Sequence, residues 1–325
     1  MKIISEQLIR SMGIRPLTCV EWIRESFAMK ELAQLPAKIS VHPHDDEFFT
    51  SMPCLLPSPD SSHAFQRQYF GIKEVHRLHN ATPSLGSDML LYDAGTGELL
   101  ALIDTDWITT MRTGAVAAVA QKVLRKRDAC TFGIIGLGNT ARAVLLCMLE
   151  QEPDRHFKVH LKRYKDQAEN FIARFSDYNN VSFEIVDDTE KMAHDVDVFI
   201  SCITSANGLL VADEQTFRPG VTVIPVHMRG LQNCDTTFDR VFADDTAHVC
   251  SFKYFNQWQG YNEIGKVLCG SDPGRTSEQQ RIIDYNYGIA LHDVVFAAKI
   301  YELLEQRQVS LPEVSIVKES EKFWV

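Results

Sequence analysis

The chain has 325 residues, 45% of them hydrophobic and 23% charged, which suits a protein of two domains with sizeable apolar cores. A formal net charge of −10 argues against a nucleic-acid partner, because proteins that bind nucleic acids normally carry a basic surface. The sequence contains no run of about 18 apolar residues and no C-x-x-C pair, so we expect no membrane span, no zinc knuckle and no disulfide framework.

The first third of the chain is predicted to combine helices with short strands. An apolar stripe through Val20, Ile23 and Phe27 predicts a helix within residues 1–30. Residues 36–60 are rich in proline, histidine and aspartate and are expected to form extended segments and loops. The elements that follow are strands at residues 69–75, 88–93 and 98–104, the last two joined as a hairpin, and an alanine-rich helix at 107–124.

From residue 129 onward the pattern changes to strands that alternate with helices. Apolar runs predict strands at residues 130–135, 157–161, 181–185, 196–200, 221–226 and 241–243, and helices at 141–150, 165–175 and 290–306. Strands that alternate with helices form a parallel sheet covered on both faces. The predicted fold class is therefore α/β, a Rossmann-type doubly wound parallel sheet accompanied by a smaller α+β domain.

One short motif predicts the cofactor. A glycine-rich turn fits G-x-G-x-x-A, follows an apolar strand and opens a helix. In such a turn the first glycine permits the tight bend, the second lets the backbone approach a pyrophosphate, and the alanine keeps the helix close to the strand. The free N–H groups at the helix start then bind the phosphates. The residues predicted to bind the dinucleotide here are Gly136, Gly138, Asn139, Thr140 and Ala141.

The end of the next strand is expected to contact the adenosine ribose. An acidic residue there favours NAD, whereas a basic residue accommodates the 2′-phosphate of NADP. The strand ends in Lys162, Arg163, Tyr164 and Lys165, with no carboxylate before Asp166. Lys162 and Arg163 therefore favour NADP over NAD, although NAD remains open if Asp166 folds back.

Several polar residues allow a second interpretation. His42, His44, Asp45 and Asp46 have side chains that can bind zinc, but the same residue types fit a solvated loop, so no metal is predicted. His76 and His79 follow Lys73, and either one is a candidate proton shuttle or a packing residue. His227 follows a strand at the sheet edge where α/β proteins bind ligands, and the backbone from Cys202 to Thr204 is expected to line the nicotinamide pocket.

The sequence from about Pro36 to Ala298 resembles the ornithine cyclodeaminase/mu-crystallin family. The motifs that carry the resemblance are Gly71-Ile72-Lys73, residues 91–104, Met111-Arg112-Thr113-Gly114, the glycine-rich turn, Asp272-Pro273-Gly274-Arg275 and residues 288–293. The resemblance implies a homodimer of two-domain subunits. Residues 1–112 with 294–325 would form the substrate-binding and dimerisation domain, and residues 113–293 the Rossmann domain.

The resemblance also implies an activity and a set of site residues. Family members transfer a hydride between nicotinamide and the α-carbon of an amino acid or imine. Lys73 matches a lysine near the substrate and is the candidate acid or base, the alternative being a surface lysine. Arg112 matches the arginine that binds the substrate carboxylate, the alternative being a structural ion pair, and Thr113 matches a contact to the cofactor phosphate.

Two positions depart from the cyclodeaminase pattern. Lys38 stands where cyclodeaminases have an arginine, so the charge is kept but the planar fork is lost. Arg229 appears where they have an aspartate, and Asp235 replaces that aspartate only if the loop folds differently. A cation at Arg229 repels the δ-ammonium group of ornithine and suits a second carboxylate instead. Lys38, Arg112, His227 and Arg229 are therefore the predicted substrate-binding residues.

These features support one principal hypothesis and two alternatives. The principal hypothesis is an NAD(P)-dependent oxidoreductase that acts at the α-carbon of an amino acid or a cyclic imine. The alternatives are ornithine cyclodeamination with recycled NAD, and a non-catalytic NADP-binding protein like mu-crystallin. The first residues have no apolar run before a small-residue cleavage site, so we expect a cytoplasmic protein with reduced thiols.

Overall fold

The computed structural model describes residues 1–62, 64–204, 206–227 and 230–315. They divide into two compact units. Unit 1 contains Met1–Ile14, Leu32–Thr109 and the residues from Asp293 onward, and unit 2 contains Arg15–Glu31 and Thr110–His292. The segment 15–31 thus belongs to unit 2, whereas the family resemblance predicts it in the substrate-binding domain.

Strands and helices are numbered in chain order over the described residues. The strands are β1 (Lys2–Ile4), β2 (Ile39–Val41), β3 (Phe48–Leu55), β4 (Tyr69–Arg77), β5 (Leu85–Asp93), β6 (Leu99–Asp104), β7 (Thr131–Ile135), β8 (Phe157–Lys162), β9 (Val181–Val186), β10 (Val198–Ser201), β11 (Thr222–Pro225), β12 (Arg240–Ala243), β13 (Asn262–Glu263) and β14 (Ile282–Tyr285). The helices are α1 (Glu6–Ser11), α2 (Pro16–Ala28), α3 (Pro59–Ser62), α4 (Asp106–Leu124), α5 (Asn139–Gln151), α6 (Gln167–Ala173), α7 (Thr189–Asp195), α8 (Thr246–Val249), α9 (Ile264–Leu268) and α10 (Ala290–Gln306). Short 3₁₀ turns lie at Lys30–Leu32, Glu214–Thr216, Gln232–Thr236 and Phe255–Gln257.

Unit 1 is built on a mixed sheet with the strand order β1-β6-β5-β4-β3-β2. Strands β2 to β6 pair antiparallel, and β1 joins the edge parallel to β6. Side chains of β4 alternate between a buried face and a partly exposed face. The buried face packs on α10, where Gly71 lies so close to Val294 that a Cβ on the glycine would be 2.6 Å from Val294 Cγ2.

Unit 2 is a parallel sheet with the order β13-β12-β14-β11-β10-β7-β8-β9. All of its strand pairs are parallel, and its central strands are apolar and buried, as expected for a sheet covered on both faces. The chain leaves β7 toward β8 and β9 on one side and returns to β10 on the other. The strand order therefore reverses between β7 and β10, and ligands of doubly wound sheets bind at the carboxyl ends of such a strand pair.

The sequence predicted this fold class, which the structure confirms, but not every element. The predicted helix within residues 1–30 is α2, which contains the stripe of Val20, Ile23 and Phe27, but β1 and α1 before it were not predicted. Residues 36–60, predicted as extended segments and loops, contain β2 and β3. Strand β14, which inserts between β11 and β12, was not predicted. None of the helices in the described ranges combines the length and apolar character needed to cross a membrane.

Candidate functional site

The phosphate turn, residues 136–141, joins β7 to α5 at the point where the strand order reverses. Gly136 has a φ of +77°, in the left-handed region that favours glycine. A Cβ at Gly136 would lie 2.5 Å from the carbonyl carbon of Cys202 and from the amide nitrogen of Ile203. The turn is therefore packed against the backbone that follows β10, and a larger residue would push these two segments apart.

Gly138 has a different role from Gly136. It caps α5 in an extended conformation, no side chain caps the helix start, and a Cβ on it would meet no atom within 4 Å. Open space therefore faces the free N–H groups at the start of a 13-residue helix. This arrangement fits the pyrophosphate of a dinucleotide, because backbone donors and the helix dipole both favour an anion there.

Helix α4 approaches this helix start closely. A Cβ on Gly114 would lie 2.5 Å from the carbonyl carbon and the Cβ of Ala143, so the backbones of α4 and α5 are in direct contact. Thr113, the predicted phosphate contact, is partly buried next to Gly114. Glycine at position 114 thus holds Thr113 beside the first turns of α5.

The basic end of β8 is less available than the sequence implies. Arg163 is exposed and donates to Glu169 at 2.6 Å and to Asp187 at 2.9 Å, and these pairs raise its pKa further. Lys162 donates to the carbonyl oxygen of Arg163 at 3.3 Å. Asp166 lies at the start of α6 and does not cap it with its side chain. The charge of Arg163 is therefore largely balanced by two carboxylates.

The carboxyl ends of β10 and β11 carry a hydrogen-bonded pair. The buried Ser201 Oγ and the His227 Nε2 share a hydrogen bond of 2.6 Å. Thr204, predicted to contact the cofactor, is exposed after β10. The pair places an imidazole at the sheet edge where the sequence predicted it.

Asp235, considered as a replacement for the missing aspartate, lies inside unit 2. Its carboxylate accepts a hydrogen bond from the hydroxyl of Tyr285, whose ring stacks on Trp258 with centroids 5.7 Å apart. Burial raises the pKa of Asp235 to about 6, although the hydrogen bond from Tyr285 opposes the shift. Asp235 is thus enclosed by aromatic rings and is not presented to a ligand.

Arg112 is buried in α4 and lies against the loop before α10. A Cβ on Gly288, which has a φ of +83°, would overlap the guanidinium of Arg112. The Gly288 N–H donates to Asp244 Oδ2 at 2.6 Å. Gly288 is therefore required both by its backbone conformation and by the space that Arg112 occupies.

A buried acidic pair beside this loop was not predicted. Asp244 directly follows β12, Asp284 lies within the neighbouring strand β14, and neither has exposed surface. Burial raises the pKa of Asp284 well above its usual range, and the charge of Asp244 raises it further. Asn286 donates to Asp284 Oδ2 at 2.7 Å. Both effects favour the protonated form of Asp284 over its ionised form.

Lys73 forms the strongest candidate for acid–base chemistry in unit 1. Its Nζ donates to Asp293 Oδ1 at 2.8 Å, and both side chains are fully buried. Lys73 lies on the buried face of β4, and Asp293 lies in the first turn of α10. In the sequence Asp293 was only part of the motif at residues 288–293, because its pairing with Lys73 depends on contacts between distant parts of the chain.

The remaining predicted residues lie in different parts of the chain. Lys38 is partly exposed just before β2 in unit 1. The His42 Nδ1 lies 2.9 Å from the Glu47 carbonyl oxygen, and no group of three or more His, Cys, Asp or Glu in the described residues is placed to hold a metal ion. Arg229 lies outside the described residues.

Comparison with known proteins decides the family. The Ornithine cyclodeaminase/mu-crystallin family profile matches residues 11–308. The chain belongs to this family. It is 27% identical over 282 residues to the Nodulation efficiency protein NfeD of Rhizobium meliloti, covering 83% of this chain and 84% of the relative. It is 25% identical over 254 residues to the iminosuccinate reductase of Paracoccus denitrificans, covering 74% and 77%.

A solved structure supports the same fold. The Δ¹-pyrroline-2-carboxylate reductase of Thermococcus litoralis, in complex with NADH and L-proline, superposes with a TM-score of 0.83 at 21% identity, covering 97% of this chain and 100% of that one. Membership of the family confirms the predicted enzyme class, an NAD(P)-linked dehydrogenase, imine reductase or cyclodeaminase, and the predicted cofactor, NADP or NAD.

Proposed function

We propose that this protein is an NAD(P)H-dependent reductase of the C=N bond of an α-imino acid, working in reverse as an amino-acid dehydrogenase. The observation that carries the proposal is the buried ion pair between Lys73 and Asp293. An ion pair without solvent is seldom a gain in stability over apolar packing, so a chemical use explains its presence better. The names of two similar proteins, an iminosuccinate reductase and a pyrroline-2-carboxylate reductase, support this substrate class.

Each residue has a defined task in this proposal. A dinucleotide held at the phosphate turn would supply, from its nicotinamide, the hydride that the α-carbon of the imine takes up. Lys73 supplies the proton that the nitrogen takes up, and Asp293 orients the ammonium group and stabilises its charged form. Arg112 binds the substrate carboxylate through its planar fork, and the loop at Gly288 holds that guanidinium in place.

The remaining predicted residues are assigned to the part of the substrate beyond its α-carbon and α-carboxylate. We assign Lys38, His227 and Arg229 to a second polar group of the imino acid. A cation at position 229 favours a second carboxylate and disfavours the δ-ammonium group of ornithine. This charge pattern supports a dicarboxylic or cyclic imine over cyclodeamination of ornithine.

We also propose that the protein acts as a homodimer through unit 1. The sheet face opposite α10 carries apolar side chains that are partly exposed, among them Phe70, Ile72 and Tyr92. The edge strand β2 adds Ile39 and Val41, exposed to 69% and 62%. A contiguous apolar face of this kind is typical of a protein interface. Sedimentation of the whole protein should give the mass of two chains.

The enzymatic proposal is tested by mixing the protein with a panel of imines and reduced cofactors. Iminosuccinate, Δ¹-pyrroline-2-carboxylate and 2-oxo acids with ammonia should be compared while the absorbance of the reduced nicotinamide is followed. We expect turnover with at least one imine and no ammonia release from ornithine. Tight cofactor binding without turnover of any imine would instead support a non-catalytic cofactor-binding protein.

A further inference from the structure

A cavity next to the phosphate turn is lined by polar and charged side chains to which the proposed reaction assigns no role. It measures about 430 Å³ and lies in unit 2 between the start of α5 and one face of α6. Its polar lining comprises Gly138, Asn139, Arg142, Gln167, Asn170 and Arg174. It therefore presents two guanidinium groups and three side-chain amides, and no carboxylate lines it.

The two arginines differ from Arg163 in their charge balance. Neither Arg142 nor Arg174 forms a salt bridge in the part of the chain that the structure describes, whereas Arg163 is held by two carboxylates. The Arg142 Nε is buried and has no hydrogen-bond partner among the described residues. The positive charge that lines this cavity is thus at Arg142 and Arg174, and no carboxylate among the described residues forms a salt bridge with either.

The groups that line the cavity favour a bound anion. Asn139 is the first residue of α5, so the free N–H groups and the positive end of the helix dipole face the same region. Guanidinium groups bind phosphate through paired hydrogen bonds, and amide N–H groups supply further donors. Although the chain has a net charge of −10, this cavity is lined by two arginines that form no salt bridge among the described residues. Such a local positive charge favours a bound phosphate group.

We propose that this cavity binds a phosphate monoester, the 2′-phosphate of NADP, and that Arg142 and Arg174 make the protein prefer NADP over NAD. This inference rests on the proposed function. Helix α6 directly follows β8, the strand whose end contacts the adenosine ribose in Rossmann proteins, and Gly138 is shared between the cavity and the pyrophosphate position. With NAD, both guanidinium groups would have no anion to bind.

The test measures cofactor binding without any imine, by the fluorescence change of NADPH and NADH. The wild-type protein should bind NADPH at least roughly tenfold more tightly than NADH. The double variant Arg142→Gln/Arg174→Gln should bind NADPH roughly tenfold to a hundredfold more weakly and leave NADH within about twofold. Arg127→Gln, at an exposed arginine before β7, is the matched control and should change neither. Arg163→Gln is measured beside it, and thermal unfolding checks that each variant is folded.

Competition with 2′-AMP, 5′-AMP and inorganic phosphate separates the possible sources of the phosphate. We expect 2′-AMP to displace NADPH, and the double variant to lose that effect while 5′-AMP is unaffected. Equal loss of NADPH and NADH would overturn the inference, as would discrimination that depends on Arg163. Binding of inorganic phosphate that the double variant loses, without a change in cofactor preference, would also overturn it. A wild-type preference for NADH contradicts the inference but leaves imine reduction intact.

Discussion

The Nζ of Lys73 lies 2.8 Å from Asp293 Oδ1, and neither side chain has exposed surface. The lysine comes from the middle of β4 and the aspartate from the first turn of α10. Neutral apolar residues would pack in this position with no charge to desolvate. The presence of a charged pair at this position therefore supports the proton transfer that we propose for Lys73.

Replacing one member of this pair should reduce stability and activity together. Asp293→Asn leaves the buried ammonium group of Lys73 without its anion, which costs about 3–5 kcal/mol of unfolding free energy. Without Asp293 the acid Lys73 is no longer held in position, so kcat for imine reduction should fall by roughly 10²–10⁴-fold. Denaturant unfolding and steady-state kinetics measure the two effects.

A double variant separates the structural role from the chemical one. Lys73→Met/Asp293→Leu removes both charges and fills the space with apolar atoms, so it should recover most of the stability lost by Asp293→Asn. It should not recover kcat. Recovery of activity together with stability would show that the pair is structural.

Gly288 should be needed for substrate binding. In Gly288→Ala the new Cβ overlaps the guanidinium of Arg112, so the arginine must move away from its present position. We expect KM for the imine to rise roughly tenfold or more while kcat changes less, because one charged hydrogen-bonded contact is lost. Gly270→Ala is the control, since Gly270 has a φ of +76° but no atom within 4 Å of its Cβ position. Equal effects of both variants on KM would contradict the role of Arg112.

The two glycines of the phosphate turn should respond differently to alanine. Gly136→Ala forces a clash with the backbone at Cys202 and a left-handed alanine, so it should lower stability. Gly138→Ala meets no protein atom and should fold normally, but its methyl group fills the space before the start of α5. We therefore expect Gly138→Ala to lose cofactor binding at unchanged thermal stability. A Gly138→Ala protein that binds NADPH like the wild type would show that the pyrophosphate lies elsewhere.

Asp235 should make unit 2 less stable as the pH rises. Its pKa is raised to about 6 in the folded chain, against about 4 for an exposed aspartate. The folded state therefore favours the protonated form, and the resulting stability is present below about pH 4 and is lost as the pH rises through about 6. Asp235→Asn removes this titration, so from about pH 4 to 8 its unfolding free energy should rise relative to wild type by about 1–3 kcal/mol. The exposed Asp128→Asn is the control and should show no such trend.

The sequence was informative where the decisive features are local. The turn at Gly136 and Gly138 combines a glycine pattern with an adjacent strand and helix, and the alternation of strands and helices in unit 2 is a repeated short-range pattern. The prediction of α10 at residues 290–306 matches the structure for the same reason. Lys73 and Arg112 were selected by family resemblance, and their roles remain proposals.

The features that the sequence missed depend on contacts between distant segments. Strand β1 is short and pairs with β6, and β14 inserts between β11 and β12, which no local pattern shows. Asp293 becomes relevant only when α10 packs on β4. The charge of Arg163 is balanced in part by Asp187, which follows β9, so the basic end of β8 appeared more available in the sequence than it is in the fold.

The most direct test of imine reduction is the fate of the transferred hydrogen. Reduced cofactor carrying deuterium at the transferable C4 position should be incubated with the preferred imine, and the amino-acid product analysed by mass spectrometry and NMR. We expect one deuterium at the α-carbon with the wild-type protein, and none above background with Lys73→Met over the same time. Product without deuterium at that carbon, or equal labelling by Lys73→Met, would contradict it.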